Sequence, residues 1–352
     1  MLTRPGDWGE ALPTCEALGM PDHRSARADG PAVDPVLRRT LASAGLPTTG
    51  RFLLRAGWVS RAWIGEHHVV RVSGVAPFRD AYRHEAQIAD LLVDSGVPHA
   101  RHIAHGHGPD GAWYVSERLP GRTLHEAWPA ADGPLRRSMI ESLGAVLRTL
   151  HSVPAQADLL PPWLAHALDG GPWPAYHPPV VDRSLKRVEE ARRRHGRDAR
   201  LLADVTTWVR ERLPLFDGDR PALVHGDLHG SNVLVDGGRV TGLVDFAEAL
   251  GQPADAELDT LLRWCARARE FPPTPYAEGL DPADLVDVPG WLGVAYPELF
   301  AREHLRERLD LYDMHMELAL YAHHPEAEVR DLSRDRIAQL LQGRNHLGGL
   351  LR

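Results

Sequence analysis

The stretch Leu223–Ala249, LVHGDLHGSNVLVDGGRVTGLVDFAEA, leaves little freedom in how the centre of this 352-residue chain folds. A short apolar strand leads into a polar loop, His225–Asn232. Strand Val233–Val235, turn Asp236–Gly238 and strand Val240–Val244 follow, and Asp245 comes directly after. Asp-Gly-Gly between two apolar runs predicts a hairpin, because glycine reaches positive φ at little steric cost. A hairpin brings its two ends together. The loop ahead of its first strand and the residue behind its second therefore meet, which gathers Asp227, Asn232 and Asp245 at one end.

Two carboxylates and an amide oxygen converging in this way make a hard-oxygen site suited to Mg²⁺, which takes a few protein oxygens and leaves the rest to water and phosphate. Phosphoryl transfer uses that inventory: a metal against the phosphates and a carboxylate to orient the attacking hydroxyl. Kinases arrange these groups as H-x-D-x-x-x-x-N followed by a D-F-G-like acid. Here the strings are His225-Gly226-Asp227-Leu228-His229-Gly230-Ser231-Asn232 and Asp245-Phe246-Ala247. The bland alternative is a structural loop, with Asp245 as the N-cap of a following helix.

HGDLHGSN with a downstream DFAEA resembles the aminoglycoside phosphotransferase family, the small-molecule branch of the protein-kinase-like fold, over roughly residues 50–340. The glycine after His225 and the histidine after Leu228 fit that branch better than protein kinases, which usually carry Arg and Lys there. The resemblance implies an α+β, two-lobed fold. An N-terminal extension with a helix spans 1–48, a small antiparallel N-lobe sheet with one helix 49–116, a hinge 117–121, and a larger, mostly helical C-lobe 122–352. It implies Asp227 as the catalytic residue, Asn232 and Asp245 as Mg²⁺ ligands, and ATP or GTP as phosphoryl donor. The hinge would meet the purine through main-chain groups of Glu117 and Leu119, which do not distinguish the two bases. His225 braces the loop, and His229 is placed to offer a donor to the terminal phosphate.

The N-lobe departs from the family pattern. Arg51–Leu54, Arg61–Ile64 and His67–Val72 read as its first strands, with a phosphate-covering loop between the first two. Of the G-x-G-x-x-G of protein kinases only Gly57 remains there, leaving backbone donors and Ser60. The 40 basic residues include one lysine, Lys186, and so 39 arginines, a bias that suggests a GC-rich coding genome. No lysine is available for the third strand, and Arg71 stands in its place. An arginine is always charged and binds phosphate bidentately. Phe78–Ser95 reads as an amphipathic helix in which Glu85 shares a face with Ile88 and Leu92, which makes it the partner of Arg71. GHGPDG, at Gly106, Gly108 and Gly111, spells G-x-G-x-x-G but precedes a strand, so it is a turn.

Further on, Leu135–Leu150 is a helix ended by His151, read as a cap complementing the helix dipole. Residues 155–181 are rich in Pro and aromatics, and Trp163, Trp173 and Tyr176 there suit either an acceptor pocket or an aromatic-pinned loop. Asp182–Leu213 reads as helix, and Glu257 and Asp259 as acids that support the catalytic loop or face the acceptor.

Composition sets the bounds. At 43% hydrophobic residues, the chain can bury a core. Net charge −8 argues against nucleic acid. Cys15 and Cys265 match no metal spacing and read as free thiols of a reducing compartment. The N-terminus has no apolar leader and the chain no membrane-length apolar run, which predicts a cytoplasmic protein off the membrane. The leading expectation is a Mg²⁺-dependent O-phosphotransferase acting on a hydroxyl of a small-molecule antibiotic: an aminoglycoside, nucleoside or peptide. The alternatives are a metabolite kinase of choline or homoserine type and a non-catalytic nucleotide-binding module.

Overall fold

Alternation of side chains organises the N-terminal half. Strands β1 (Leu53–Ala56), β2 (Arg61–Ile64), β3 (His68–Ser73), β4 (His102–Gly108) and β5 (Gly111–Glu117) form an antiparallel sheet in the order β1-β2-β3-β5-β4. The β3–β5 register sets Val70 against Val115, Arg71 against Tyr114 and Val72 against Trp113. Because successive residues point to opposite faces, Trp63, Val70, Val72, Trp113 and Val115 line one face, where Leu37 and Leu41 of helix α1 (Pro35–Ser43) pack. Ala112 and Tyr114 line the other, against Tyr82 and Ala86 of helix α2 (Phe78–Leu92). The helix read as part of an extension thus completes the core of the sheet. Asp34 caps it through Val36 N at 2.8 Å, and Arg39 grips Asp110 in the β4–β5 turn at 2.7 and 2.8 Å. That turn is GHGPDG; Gly108 pairs with Gly111.

The computed structural model describes residues 34–350 apart from 57–59, 75–77, 156–158, 160–178, 271–279 and 325. Cys15, Gly57, Trp163, Trp173 and Tyr176 lie outside the described residues.

Past β5 the chain is mainly helical. Strand β6 (Arg122–Thr123) pairs with β8 (Val233–Asp236), and β8 with β9 (Arg239–Leu243); β7 (Ala222–Val224) pairs with β10 (Leu250–Gln252). The β8–β9 turn is Gly237-Gly238, with φ of 51° and 81°. Positive φ at both positions is what a tight two-residue hairpin turn demands. Around these strands lie α3 (Leu124–Ala127), α4 (Gly133–Ser152), α5 (Pro179–Arg194), α6 (Ala199–Glu211), α7 (Glu257–Arg267), α8 (Val288–Ala295), α9 (Pro297–Phe300), α10 (Leu305–His323) and α11 (Ala327–Leu340). Met139, Leu143, Leu147 and Leu150 of α4 fall on one helical stripe and join Leu223, Val233 and Leu243 of the strands in a continuous core.

The single helix read over Asp182–Leu213 is two, α5 and α6, interrupted at Gly196–Asp198. Gly196 is a poor helix former. Asp198 turns away to accept from Arg334 Nε at 2.9 Å and from the Tyr321 hydroxyl. Cys265 is a buried free thiol. Among the described residues no helix is long and apolar enough to cross a membrane.

Helices α5 and α10 are joined at Glu190, which meets Arg187 Nη1 at 2.8 Å and His323 Nε2 at 2.8 Å. Burial pushes this carboxyl up, but His323 and Arg187 outweigh it and hold the group at about 2, below its ordinary 4.5. A depressed acid stabilises the fold above its ordinary pKa and loses that contribution as pH falls toward the folded value. Glu190→Gln therefore lowers Tm at neutral pH, and its melting curve converges on that of the parent as pH falls from 4.5 toward 2. Melting both proteins across that range checks it.

Candidate active site

The loop after β7 is built around a glycine. Gly226 has φ +78°, and a Cβ there would lie 2.3 Å from the Glu248 carbonyl oxygen, so a side chain has no room. Its neighbour His225 is fixed on three sides. The His225 backbone N–H donates to Glu257 Oε2 at 2.7 Å, and Nε2–H donates to the Val244 carbonyl at 3.0 Å. The ring packs on Phe246, with centroids 4.7 Å apart. His225 thus ties the loop to both the hairpin end and α7. His151, read as a helix cap, instead turns inward: its Nε2 is 3.4 Å from the same Glu257 oxygen, and its Nδ1 3.3 Å from the Tyr296 hydroxyl. A buried carboxylate draws its polar neighbours in, and this outweighs the helix dipole.

Asp227, His229 and Asn232 come together on the loop. Asn232 Nδ2 donates to the Asp227 carbonyl at 2.9 Å and to Asp227 Oδ2 at 3.2 Å. His229 Nδ1 accepts from Ser231 N at 3.2 Å, which leaves the proton on Nε2, 3.5 Å from the same carboxylate oxygen. The Asp227 side chain is 42% exposed, so it is held from behind and open in front. The hairpin returns as the sequence predicts: Val244 N donates to the Asn232 carbonyl at 3.1 Å, and Asp245 follows. Asp245 occupies the left-handed region, φ 67° and ψ 62°, uncommon for a residue with a Cβ. It makes no capping hydrogen bond to the short helical turn Phe246–Glu248 that it precedes, which sets the N-cap reading aside.

Arg71 connects this end of the hairpin to the sheet. Its guanidinium bonds Glu85 Oε2 on α2 and, through Nη1, Asp245 Oδ1 at 2.7 Å. The planar group lies between two rings, its Cζ 5.2 Å from the Tyr82 centroid and 5.0 Å from that of Tyr114. Burial pushes the Glu85 carboxyl up to about 7 against the pull of Arg71, and Glu85 also accepts from Phe246 N. Burial works on Asp245 in the same direction, but there Arg71 prevails and holds the group below its ordinary range. Next to Glu85, His84 Nε2–H donates to the Ala249 carbonyl at 2.6 Å. Helix α2 is thereby docked on Phe246–Ala249.

The remaining residues fall around this centre. Ser60 lies at the Tyr82 hydroxyl. At the proposed hinge, Glu117 N donates to the Arg101 carbonyl at 2.9 Å and Arg118 N to that of His67 at 2.8 Å. Leu119 packs on β9, where a Cβ at Gly242 would lie 2.1 Å from Leu119 Cδ1. Tyr82 and Tyr114 are the contributors the sequence reading missed. Tyr82 sits three residues before Glu85 on α2, a spacing that could have flagged it; Tyr114 is set by cross-strand register, which no local pattern reveals. Of the two acids read on α7, Glu257 supports the loop, whereas Asp259 turns to Arg263 at 3.3 Å.

The oxygen donors fit Mg²⁺. With its Nδ2 engaged by Asp227, Asn232 presents Oδ1 as its remaining polar atom, and Asp245 supplies a carboxylate kept ionised by Arg71.

A five-stranded sheet above a helical lobe, with an H-x-D-x-x-x-x-N loop meeting a D-F acid, is the arrangement of the protein-kinase-like fold. Residues 53–296 match the phosphotransferase enzyme family, APH, and the chain belongs to that family. Among curated relatives, an aminoglycoside 3'-phosphotransferase of Escherichia coli is 25% identical over 166 residues, covering 47% of this chain and 56% of that protein. The chain thus spans little more than half the length of that relative. Among solved structures, the streptomycin–ATP–APH(2")-IIa ternary complex aligns with a TM-score of 0.61 at 14% identity, over 90% of this chain and 98% of that one. A thermostable mutant of aminoglycoside phosphotransferase APH(4)-Ia, in complex with AMP-PNP and hygromycin B, aligns at 0.58 and 17%, over 88% and 98%.

Arg71→Met leaves the buried Glu85 carboxylate, and the half-buried Asp245 beside it, without their cation, and is expected to cost about 3 kcal/mol. Arg71→Lys keeps the charge but lacks the planar fork that reaches both acids and fills the space between the rings, so it recovers only part of the loss. Urea unfolding of the two variants gives the order parent, lysine, methionine.

Proposed function

We propose that the protein transfers the terminal phosphoryl group of ATP or GTP to a hydroxyl of a small-molecule antibiotic, with Mg²⁺ as cofactor. The observation that carries this reading is the junction at Asp245, where the Asp227–Asn232 loop, the hairpin end and the Arg71–Glu85 pair meet. When bound between Asn232 and Asp245, the metal supplies positive charge against the phosphates. Residues 117–121 serve as the hinge between the lobes, with main-chain groups of Glu117 and Leu119 toward the base and Ser60 toward the phosphates.

Asp227 has the central role. Its carboxylate accepts a hydrogen bond from the acceptor hydroxyl and aligns that oxygen with the phosphorus. A carboxylate is a weak base toward an alcohol, but in a loose transition state the proton leaves late, so orientation dominates. Asn232 Nδ2 and His229 Nε2 hold Oδ2 and fix the carboxylate plane. With donor bound, the His229 Nε2 proton turns from Asp227 Oδ2 to the transferring group, and Asn232 Nδ2 keeps hold of Oδ2. Arg71 keeps Asp245 ionised, Glu85 and the two tyrosines fix the guanidinium, and its charge serves the donor phosphates in place of a lysine.

The named activities of the E. coli relative and of APH(4)-Ia, and the streptomycin and hygromycin B in the aligned complexes, support an antibiotic as acceptor. Asp227→Ala is expected to lower kcat by about 10²–10⁴ while nucleotide still binds. Coupled turnover with ATP and with GTP, together with calorimetric nucleotide titration, checks both halves. Near-normal turnover in that variant removes Asp227 from the mechanism.

A further inference from the structure

Helix α10 carries two acids one turn apart, Asp313 and Glu317, and both side chains are fully buried. Their i, i+4 spacing puts them on one face of the helix. The arginines around them engage the oxygens unevenly. Arg263 bonds Asp313 Oδ1 directly and Glu317 Oε1 at 3.1 Å. Arg336 and Arg267 approach the same Glu317 oxygen at 3.4 and 3.7 Å. The second oxygen of each acid, Asp313 Oδ2 and Glu317 Oε2, is buried with no hydrogen-bond partner. A buried carboxylate oxygen left unbonded is costly, and where one persists in a fold it calls for an ion or a water.

A third group comes from beyond α11. Asn345 donates to Asp310 Oδ1 on α10 at 2.7 Å and accepts from Leu347 N at 2.7 Å, and Leu347 is buried in the core. His346 is held between these two anchors, with its Nδ1 3.3 Å from Asp313 Oδ2. That approach does not make a hydrogen bond to the oxygen, and it leaves Glu317 Oε2 unsatisfied. Asp313, Glu317 and His346 each bring one ligand atom within 4.8 Å of the other two. Around a tetrahedral ion with bonds of about 2.0–2.2 Å, neighbouring ligand atoms stand roughly 3.3–3.6 Å apart, close to the spacing of His346 and Asp313. Two of the three groups are anionic, which a cation compensates and a water does not. The His346 side chain is 18% exposed and gives an ion a way in from the surface.

We propose that Asp313, Glu317 and His346 bind Zn²⁺, which staples the segment after α11 to α10. Asp313 Oδ2, Glu317 Oε2 and His346 Nδ1 are the protein ligands, and water completes the shell. Ligation through Nδ1 puts the imidazole proton on Nε2. Mg²⁺ and Ca²⁺ take shells of six or more oxygens, whereas an imidazole beside two carboxylates favours zinc. The arginines are the outer support: by holding Oδ1 and Oε1 they aim the opposite oxygens at the ion. Charge is in balance as well. Asp259, 3.3 Å from Arg263, and Asp310, tied to Asn345, bring the carboxylates to four against three guanidiniums. The site uses none of the residues proposed for Mg²⁺ and nucleotide, and it stands whether or not the phosphotransfer reading does.

The full chain, stripped with a chelator and dialysed, is titrated calorimetrically with ZnCl₂ in the absence of nucleotide. One Zn²⁺ per chain is expected, in the parent and equally in Asp245→Asn. His346→Gln should weaken binding by about a hundredfold or more, since losing even an outer-shell partner costs 10–100-fold. Zinc should raise Tm in the parent and not in His346→Gln, whose fold is checked by circular dichroism. Glu317→Gln also deprives Arg263 of a charged partner, so the half-exposed histidine is the cleaner position to change. X-ray absorption of the zinc-loaded parent needs no variant: it should show one imidazole with oxygen ligands and no sulfur. A shell of two or more imidazoles would identify surface histidines, such as the His102–His105 pair at 3.0 Å, as the binders. That result, no zinc uptake by the parent, uptake unchanged in His346→Gln, uptake lost in Asp245→Asn, or displacement of zinc by equimolar Mg²⁺ would each overturn the assignment.

Discussion

One guanidinium holds the two halves of the site in register. Arg71 on β3 reaches Glu85 on α2 and Asp245 behind β9, segments with no local reason to meet. The hydrophobic core cannot specify this junction to the accuracy of a hydrogen bond, because apolar packing is non-directional. A planar group with fixed donor directions can. The charges are also interdependent. Glu85 is buried enough to be pushed up to about 7, and Asp245 stays low because the same cation faces it. Arg71 therefore fixes where Asp245 sits and holds its carboxyl below the ordinary range there.

Asp245 itself shows how the backbone accommodates this. A non-glycine residue at φ 67° is held against its own preference. It is fixed on one side by the Val244–Asn232 backbone bond and on the other by Arg71. The chain behind it is pinned by His84 to Ala249 and by the close passage of Gly226 under Glu248. Tight backbone passage at Gly226 and a left-handed turn at Asp245 are two solutions to one problem, which is to bring a loop and a strand end within ligand distance of each other.

How much of this is legible in the sequence depends on whether the cause is local. The hairpin, the Asp227–Asn232 loop and the return of Asp245 follow from glycine chemistry and spacing. The Arg71–Glu85 pair follows from helical periodicity and the rule that a buried acid needs a partner. What escapes is tertiary. Tyr114 flanks Arg71 only because β3 and β5 pair in one register, and α1 belongs to the sheet core only because Leu37 and Leu41 find Trp63 and Trp113. His151 turns inward because Glu257 arrives from more than a hundred positions away. The break between α5 and α6 has a local cause in Gly196, but the pull on Asp198 comes from Arg334 and Tyr321 at the far end of the chain.

The near-absence of lysine connects these observations. A lysine makes one compact charge, whereas an arginine presents five donors in a fork and binds several acids at once. Arg71 joins two acids, Arg308 joins Asp255 and Asp219, and Arg263 joins Asp259, Asp313 and Glu317. Each such node converts acidic residues that would have formed a negative surface into internal framework. A chain of net charge −8 can therefore present a site whose acids are largely neutralised by its own arginines. Overall charge then says little about the acceptor.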